Sequence, residues 1–167
     1  MANTNSDLVA NLEASPQVLS PSGKLAGRVR IAVSSVEVTA ADFDADGDTI
    51  KLASIPSNAR INSIKIANDD LDSGADSVFN LGLYDRDGAI KDEDVYASLV
   101  TQLQSAAALT ELVNEARDIA KHGQRVFEDA GDTDDTDELL DVVMTQTATV
   151  AGAVTGTVAF EIEYTVG

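Results

Sequence analysis

Val158-Ala-Phe160-Glu-Ile162-Glu-Tyr164-Thr-Val166 alternates large apolar residues with small or polar ones at every step. A period of two places Val158, Phe160, Ile162, Tyr164 and Val166 on one face of a strand and the two glutamates on the other. Working back along the chain, 139–147 repeats the pattern through Leu140, Val142 and Met144. The small-residue stretch Ala148 to Gly156 between them predicts a hairpin. Three more strands are predicted at 48–55 (Ile50, Leu52), 60–67 (Ile61, Ile64, Ile66) and 77–84 (Phe79, Leu81, Leu83). Near the start of the β-like region, Val29, Ile31 and Val33 alternate with Arg28, Arg30 and Ala32, after which the apolar parity moves to Val36 and Val38. Because a one-residue slip exchanges the two faces, Ser34-Ser35 is expected to host a bulge or bend. Six or seven strands follow from this reading.

One interval breaks the period. Between Leu99 and Ile119 the apolar positions fall at 99, 103, 106, 109, 112, 113, 116 and 119, which predicts an amphipathic helix within an insertion spanning about 97–122. Arg117 and Lys121 would lie in its last turn, with Gly123 as a left-handed stop. The expected architecture is mainly β: one antiparallel sandwich over 27–167 with a single helical insertion. Residues 1–26 carry only Asp7, Glu13 and Lys24 and contain Pro16 and Pro21, so they read as an extended N-terminal arm. Leu8, Val9, Leu12, Val18 and Leu19 are the arm's candidate partner-binding residues.

The chain has 167 residues, 11 Lys plus Arg against 29 Asp plus Glu, and a net charge of −18. Such a field repels nucleic acid and anionic membranes, and neither is expected as a partner. With no cysteine and one histidine, His122, thiol catalysis, disulfides and His-pair or Cys-ligated metal sites are excluded. No Gly-x-Ser-x-Gly elbow, Walker loop or dinucleotide-binding glycine pattern occurs. A carboxylate pair for glycoside hydrolysis would lack its usual aromatic platforms, since the chain has four Phe, three Tyr and no Trp. An enzyme is not expected, and neither is a required cofactor.

The clearest ligand-like motif is Asp42-Phe-Asp44-Ala-Asp46-Gly47-Asp48. Asp42, Asp44 and Asp46 followed by glycine match the opening of a calcium loop, with Asp48 alongside. Position twelve is Ala53 instead of a bidentate glutamate, and strand-like sequence lies on both sides. The competing reading is a solvated turn stabilised by Asp and Gly. Asp85-Arg-Asp87-Gly88 repeats the idea more weakly, and the acidic run 128–141 reads as a mobile, solvated loop.

Four stretches together resemble a known family. They are Gly27-Arg28-Val29-Arg30, Lys51-Leu-Ala-Ser-Ile-Pro56-Ser-Asn-Ala59-Arg60-Ile61, His122-Gly-Gln-Arg125-Val-Phe-Glu-Asp-Ala-Gly131 and Gly156-Thr-Val-Ala-Phe160-Glu-Ile-Glu-Tyr164. In this order, over roughly residues 25–166, the chain resembles the head decoration, or capsid cement, proteins of tailed bacteriophages. That resemblance implies a jelly-roll-like knob, a homotrimer, the major capsid protein as partner, and a place on the capsid exterior after synthesis in a host cytoplasm. It adds Arg28 and Arg30, with Arg60 and Lys65, as residues that would steer docking. The alternatives are another virion or tail component, or a calcium-binding β module of an adhesin or surface layer.

Overall fold

A computed structural model describes residues 7–19, 27–113, 116–136 and 138–166. Eight strands form two four-stranded sheets: β1 (Arg28–Val38), β2 (Thr49–Pro56), β3 (Arg60–Asn68), β4 (Phe79–Tyr84), β5 (Ile90–Val100), β6 (Ala107–Glu111), β7 (Leu139–Gln146) and β8 (Gly156–Val166). The sheet orders are β1-β8-β3-β6 and β2-β7-β4-β5, every pairing antiparallel. Each strand thus bonds its mirror in chain order: first with last, second with seventh, third with sixth, fourth with fifth.

The core lies between the sheets. Ile61, Ile64 and Ile66 of β3 and Val158 and Ile162 of β8 meet Phe79, Leu81 and Leu83 of β4 and Val142 and Met144 of β7, all fully buried. Each such side chain contributes roughly 1.5–3 kcal/mol on leaving water. The terminal alternation behaves as its sequence dictates: Val158, Phe160 and Ile162 point inward, while Glu161 and Glu163 remain part-exposed.

Four sequence expectations need correction. The 97–122 interval is not a helical insertion. It completes β5, makes a 3-10 turn at Gln102–Gln104, forms β6 and ends in a second 3-10 turn at Ile119–Lys121. Its three-to-four spacing mixes buried Leu103, Leu112 and Val113 with Leu99 and Leu109, which are 64% and 53% exposed. Partners on β3 decide the outcome: the Asn68 amide donates to the carbonyls of Gln102 and Ser105, and Glu111 accepts from the Ile64 N–H. Tertiary pairing overrides a local helical pattern here.

Second, no bulge occurs at Ser34-Ser35, because the β1–β8 register runs unbroken from Arg28 opposite Val166 to Val38 opposite Gly156. Third, β7 and β8 form no hairpin; they sit in different sheets, and the stretch between them crosses the sandwich. Strand β7 is buried along nearly its whole length, and its neighbours β2 and β4 occupy both of its edges. Fourth, the described part of the arm is not wholly extended, since Asp7–Glu13 is a short helix, α1. The expectations for residues 1–6 and 20–26 and for the side chains of Leu8 and Leu12 fall outside the described residues.

The loop after β3 hangs on Asp72, a buried carboxylate 1% exposed. It accepts N–H bonds from Gly74 at 2.8 Å, from Ser77 at 2.6 Å and from Asp76, and residue 72 bridges to Ala153. Burial alone would raise this carboxyl. The N–H groups of Ser77, Gly74, Asp76 and Ala75 outweigh burial and hold it below the ordinary aspartate range. Its stabilising effect is therefore complete above the unfolded value of about 3.9 and is lost as pH falls through the depressed folded value. Asp72→Ala should cost about 2–3 kcal/mol by leaving buried donors unpaired. Asp72→Asn should flatten the acid limb of the stability profile, read by chemical denaturation from neutral to low pH. A wild-type-like acid limb in that variant would discard this account.

Candidate interaction surface

Strand β1 ends one sheet, so its edge away from β8 has no partner strand among the described residues. With the β1–β8 register unbroken, the inner face is set by Ala32, Val36 and Val38, which pack on the core. Val29, Ile31 and Val33 must then face outward, and they are 57%, 59% and 67% exposed. Opposite them on β8 lie Thr165, Glu163 and Glu161, and beyond those on β3 lie Arg60, Ser63 and Lys65. The outer sheet face therefore carries an apolar stripe on its free edge beside a polar strip. Lys65 pairs with Glu161 at 2.8 Å, and the hydrogen bond to Glu161 holds its ammonium above the usual lysine range.

The sequence had offered Val29, Ile31 and Val33 as core residues. The parity change toward Val36 and Val38 was the signal that they face outward, because without an extra residue one set of a strand must lie outside. Among the basic candidates, Arg28 and Arg30 are exposed at the start of β1. Arg60 is instead buried, donating to the Gly123 carbonyl, and Lys65 is held by its ion pair. In the arm, Val9, Val18 and Leu19 are 41%, 51% and 89% exposed.

The Asp42–Asp48 turn uses its carboxylates on the backbone. Asp42 accepts from the Thr39 N–H at 2.9 Å and the Thr39 hydroxyl at 2.7 Å, and both bonds hold its carboxyl below the usual range. Asp48 accepts from the N–H groups of Asp44 at 3.1 Å and Ala45 at 2.8 Å, with Gly47 at φ +89°. This is turn-capping geometry. Among the described residues no three acidic or histidine side chains come together to hold a metal ion. The acidic run is also more anchored than its sequence implies: Ser57 bonds Asp135 through its hydroxyl and the Glu138 carbonyl through its N–H, and Lys91 pairs with Asp132 at 3.3 Å.

The described residues also wall open hollows, two of which bear on chemistry. One, about 590 Å³, is walled by Asp85, Arg86, Asp87, Glu138 and Leu139. The other, about 260 Å³, is walled by Asp92, Asp94, Val95, Ala116, Arg117, Asp118 and Lys121. Neither wall carries a serine, cysteine or histidine, and His122 lies exposed in a turn. Among the described residues one ion pair is fully buried, and its contacts are structural: Arg117 donates to Asp129 at 2.6 Å and to the Ile61 carbonyl at 3.0 Å, while the Tyr96 hydroxyl donates to Asp129 at 3.2 Å. The sequence reading places Arg117 in the last turn of the expected helix and does not single out Asp129.

No family model matches the chain, and no curated protein matches its sequence. Among solved structures it is similar to a chain of the cyanophage Pam1 capsid asymmetric unit, at 20% identity and a TM-score of 0.56 over all of both chains. It is also similar to a chain of the capsid of Ralstonia phage GP4, at 20% identity and a TM-score of 0.60, covering 89% of this chain and 91% of that one. At that identity the likeness is one of fold.

Proposed function

We propose that this chain is a non-enzymatic structural protein of a tailed-phage virion, seated outside the head, where it stabilises the shell by bridging adjacent capsomers of the major capsid protein. The observation that carries this reading is the agreement in fold, across essentially whole chains, with components of two phage capsids. The mirror-order strand pairing supports it, being the winding of a jelly roll, an architecture frequent in viral shells. So does the charge: at −18, the chain suits an outward position and would be repelled by packaged DNA. The arm, with Val9, Val18 and Leu19 exposed, and the basic start of β1 at Arg28 and Arg30 are the contact elements of this reading. In a homotrimer made in the host cytoplasm, three such contacts at high effective concentration hold a lattice tightly even when each alone is weak.

The test is reconstitution on heads assembled without the chain, followed by electron microscopy. Added protein is expected to co-sediment with heads, ignore free DNA and give density on the outer surface. A chain lacking residues 1–22 is expected to lose docking by at least about tenfold while its melting temperature stays unchanged. Unaltered head binding by that shortened chain would remove the arm from the proposal, and density inside the shell would remove the decoration role itself.

A further inference from the structure

Two sheets of four strands have four edges, and three of them are guarded. Strand β2 shifts register after Lys51 and ends on Pro56. Strand β5 shifts register three times against β4 and carries Lys91, Asp92, Glu93 and Asp94. Strand β6 is five residues long. Bulges, charges and shortness are the means by which folded proteins keep an edge from pairing. Strand β1 is the exception: eleven residues in unbroken register, with no proline, no lysine and no charge from Ile31 to Val36.

The register also sorts what this edge accepts. Residues opposite one another in a ladder share a face, so an added strand inherits the two faces of β1. On the outer face it would lie beside Val29, Ile31 and Val33, each more than half exposed. On the other face it would lie beside Arg28 and Arg30, both exposed, which stand opposite Val166 and Tyr164 of β8. The acids of β8 are on the wrong face for these arginines, since Glu161 and Glu163 stand opposite Val33 and Ile31. The ion pairs among the described residues use neither Arg28 nor Arg30. An outer-face carboxylate on the added strand would meet apolar side chains backed by those glutamates, whereas an apolar residue there covers the stripe.

The matching segment therefore alternates. It sets carboxylates opposite Arg28 and Arg30 and apolar residues opposite Val29, Ile31 and Val33. Among the described strands of this chain none is free to supply it. Strand β8 has the alternation but is paired on both edges, and β5 sets four charged residues in succession, which puts acids on both faces. The match calls for a different chain.

We propose that the free edge of β1 takes up an extended segment of the shell protein as a fifth strand, its carboxylates facing Arg28 and Arg30 and its apolar residues covering Val29, Ile31 and Val33. Main-chain bonds along the edge supply affinity, and the two faces supply selectivity. This deepens the proposed virion role and rests on it for the source of the segment, but the edge itself is measured without any shell.

The probe is a labelled octapeptide of alternating valine and glutamate with blocked ends, titrated with the full chain and read by fluorescence anisotropy. Its control alternates valine and lysine. The net charge of −18 by itself favours the lysine peptide. The proposal expects the reverse, with the glutamate peptide bound at least about tenfold tighter. No binding, or a preference for lysine, would overturn it. Methylating the backbone nitrogens of the valines, or those of the glutamates, should abolish binding in one set and spare the other, because only one edge of the added strand meets β1. Equal effects of the two sets would overturn the strand pairing. Arg28→Glu with Arg30→Glu, at exposed positions, should invert the preference at an unchanged melting temperature, and a persisting glutamate preference would refute the charge match. Peptide binding seen only after removal of residues 1–22 would assign the edge to the chain's own N-terminal segment, and dissociation of an oligomer by the peptide would assign it to a second copy; either would overturn the proposal. Head binding keeps the readings apart. A chain that binds the peptide but not heads refutes the virion role alone, and a doubly reversed chain that loses the peptide yet docks on heads refutes the shell protein as the source.

Discussion

Gly82→Ala is expected to abolish cooperative unfolding or to lower stability by more than about 3 kcal/mol, the upper range for overpacking a core. Gly82 lies in β4, hydrogen-bonded between β7 and β5. On the β5 side the register shifts three times between Phe79 and Tyr84, one of the shifts falling across Gly82 between Leu81 and Leu83, and the β5 backbone comes close over the glycine. A Cβ at position 82 would stand 2.1 Å from the Asp92 carbonyl oxygen, and 2.2 and 2.3 Å from the carbonyl carbon and oxygen of Glu93. These are backbone atoms of a paired strand, so no rotamer change relieves the overlap. The other side is closed by Val143 of β7, whose own position is fixed by β2. Gly88→Ala is the matched control. Its Cβ would meet nothing, and only its φ of +89° resists the change, at a cost of about 1 kcal/mol. Thermal unfolding followed by circular dichroism should rank Gly82→Ala far below Gly88→Ala. Equal melting temperatures for the two would refute the close approach.

Arg117→Met alone is expected to cost about 3–5 kcal/mol, because it leaves the Asp129 carboxylate buried without its cation. The two side chains are 1% and 0% exposed, and the pair ties the segment before the 3-10 turn to the helical turn Val126–Asp129. Arg117 also holds the Ile61 carbonyl on β3 and lies over the Tyr96 ring of β5, 5.7 Å from its centre. One guanidinium thus joins both sheets to the loop that wraps them. Burial pushes the Tyr96 hydroxyl well above its ordinary range, and the Asp129 charge adds to that, so Tyr96 stays a donor throughout the working pH range. The double variant Arg117→Met with Asp129→Leu should recover much of the loss, since replacing both charges removes the unpaired one. Denaturant titrations of the four proteins form the cycle. A double variant no better than Arg117→Met would show that the charge pair is not what the single substitution broke.

Legibility in the sequence followed the number of faces a segment buries. Strand β8 has one wet and one dry face, and its alternation gave its position and orientation directly. Strands β5 and β6 were hidden for a different reason. In β5, half-buried Asp92 and exposed Asp94 precede buried Tyr96 and Ala97, and register shifts scramble the period. Strand β6 is only five residues long and pairs with β3 at three positions, too short a pattern to stand out from the three-to-four spacing around it. The β7–β8 hairpin was expected because a short loop of small residues joins them, and loop length alone does not reveal that both strands already have partners on each edge. For the interaction surface, the arm residues Val9, Val18 and Leu19 and the basic Arg28 and Arg30 are exposed. The stripe between them was misassigned because Val29, Ile31 and Val33 look the same whether they line a core or an unpartnered face.

The mirror order of the strands also bears on synthesis. Of the eight strands, the one made latest, β8, is inserted between β1 and β3, which are made earlier. Until Gly156–Val166 emerges, one sheet has a gap at its centre and Arg28–Val38 has nothing to bond. Nascent or prematurely terminated chains therefore hold no finished body, and pairings so distant in sequence form slowly. Emergence of β8 itself becomes the checkpoint: a product cut short before Gly156 has no finished sheet to present.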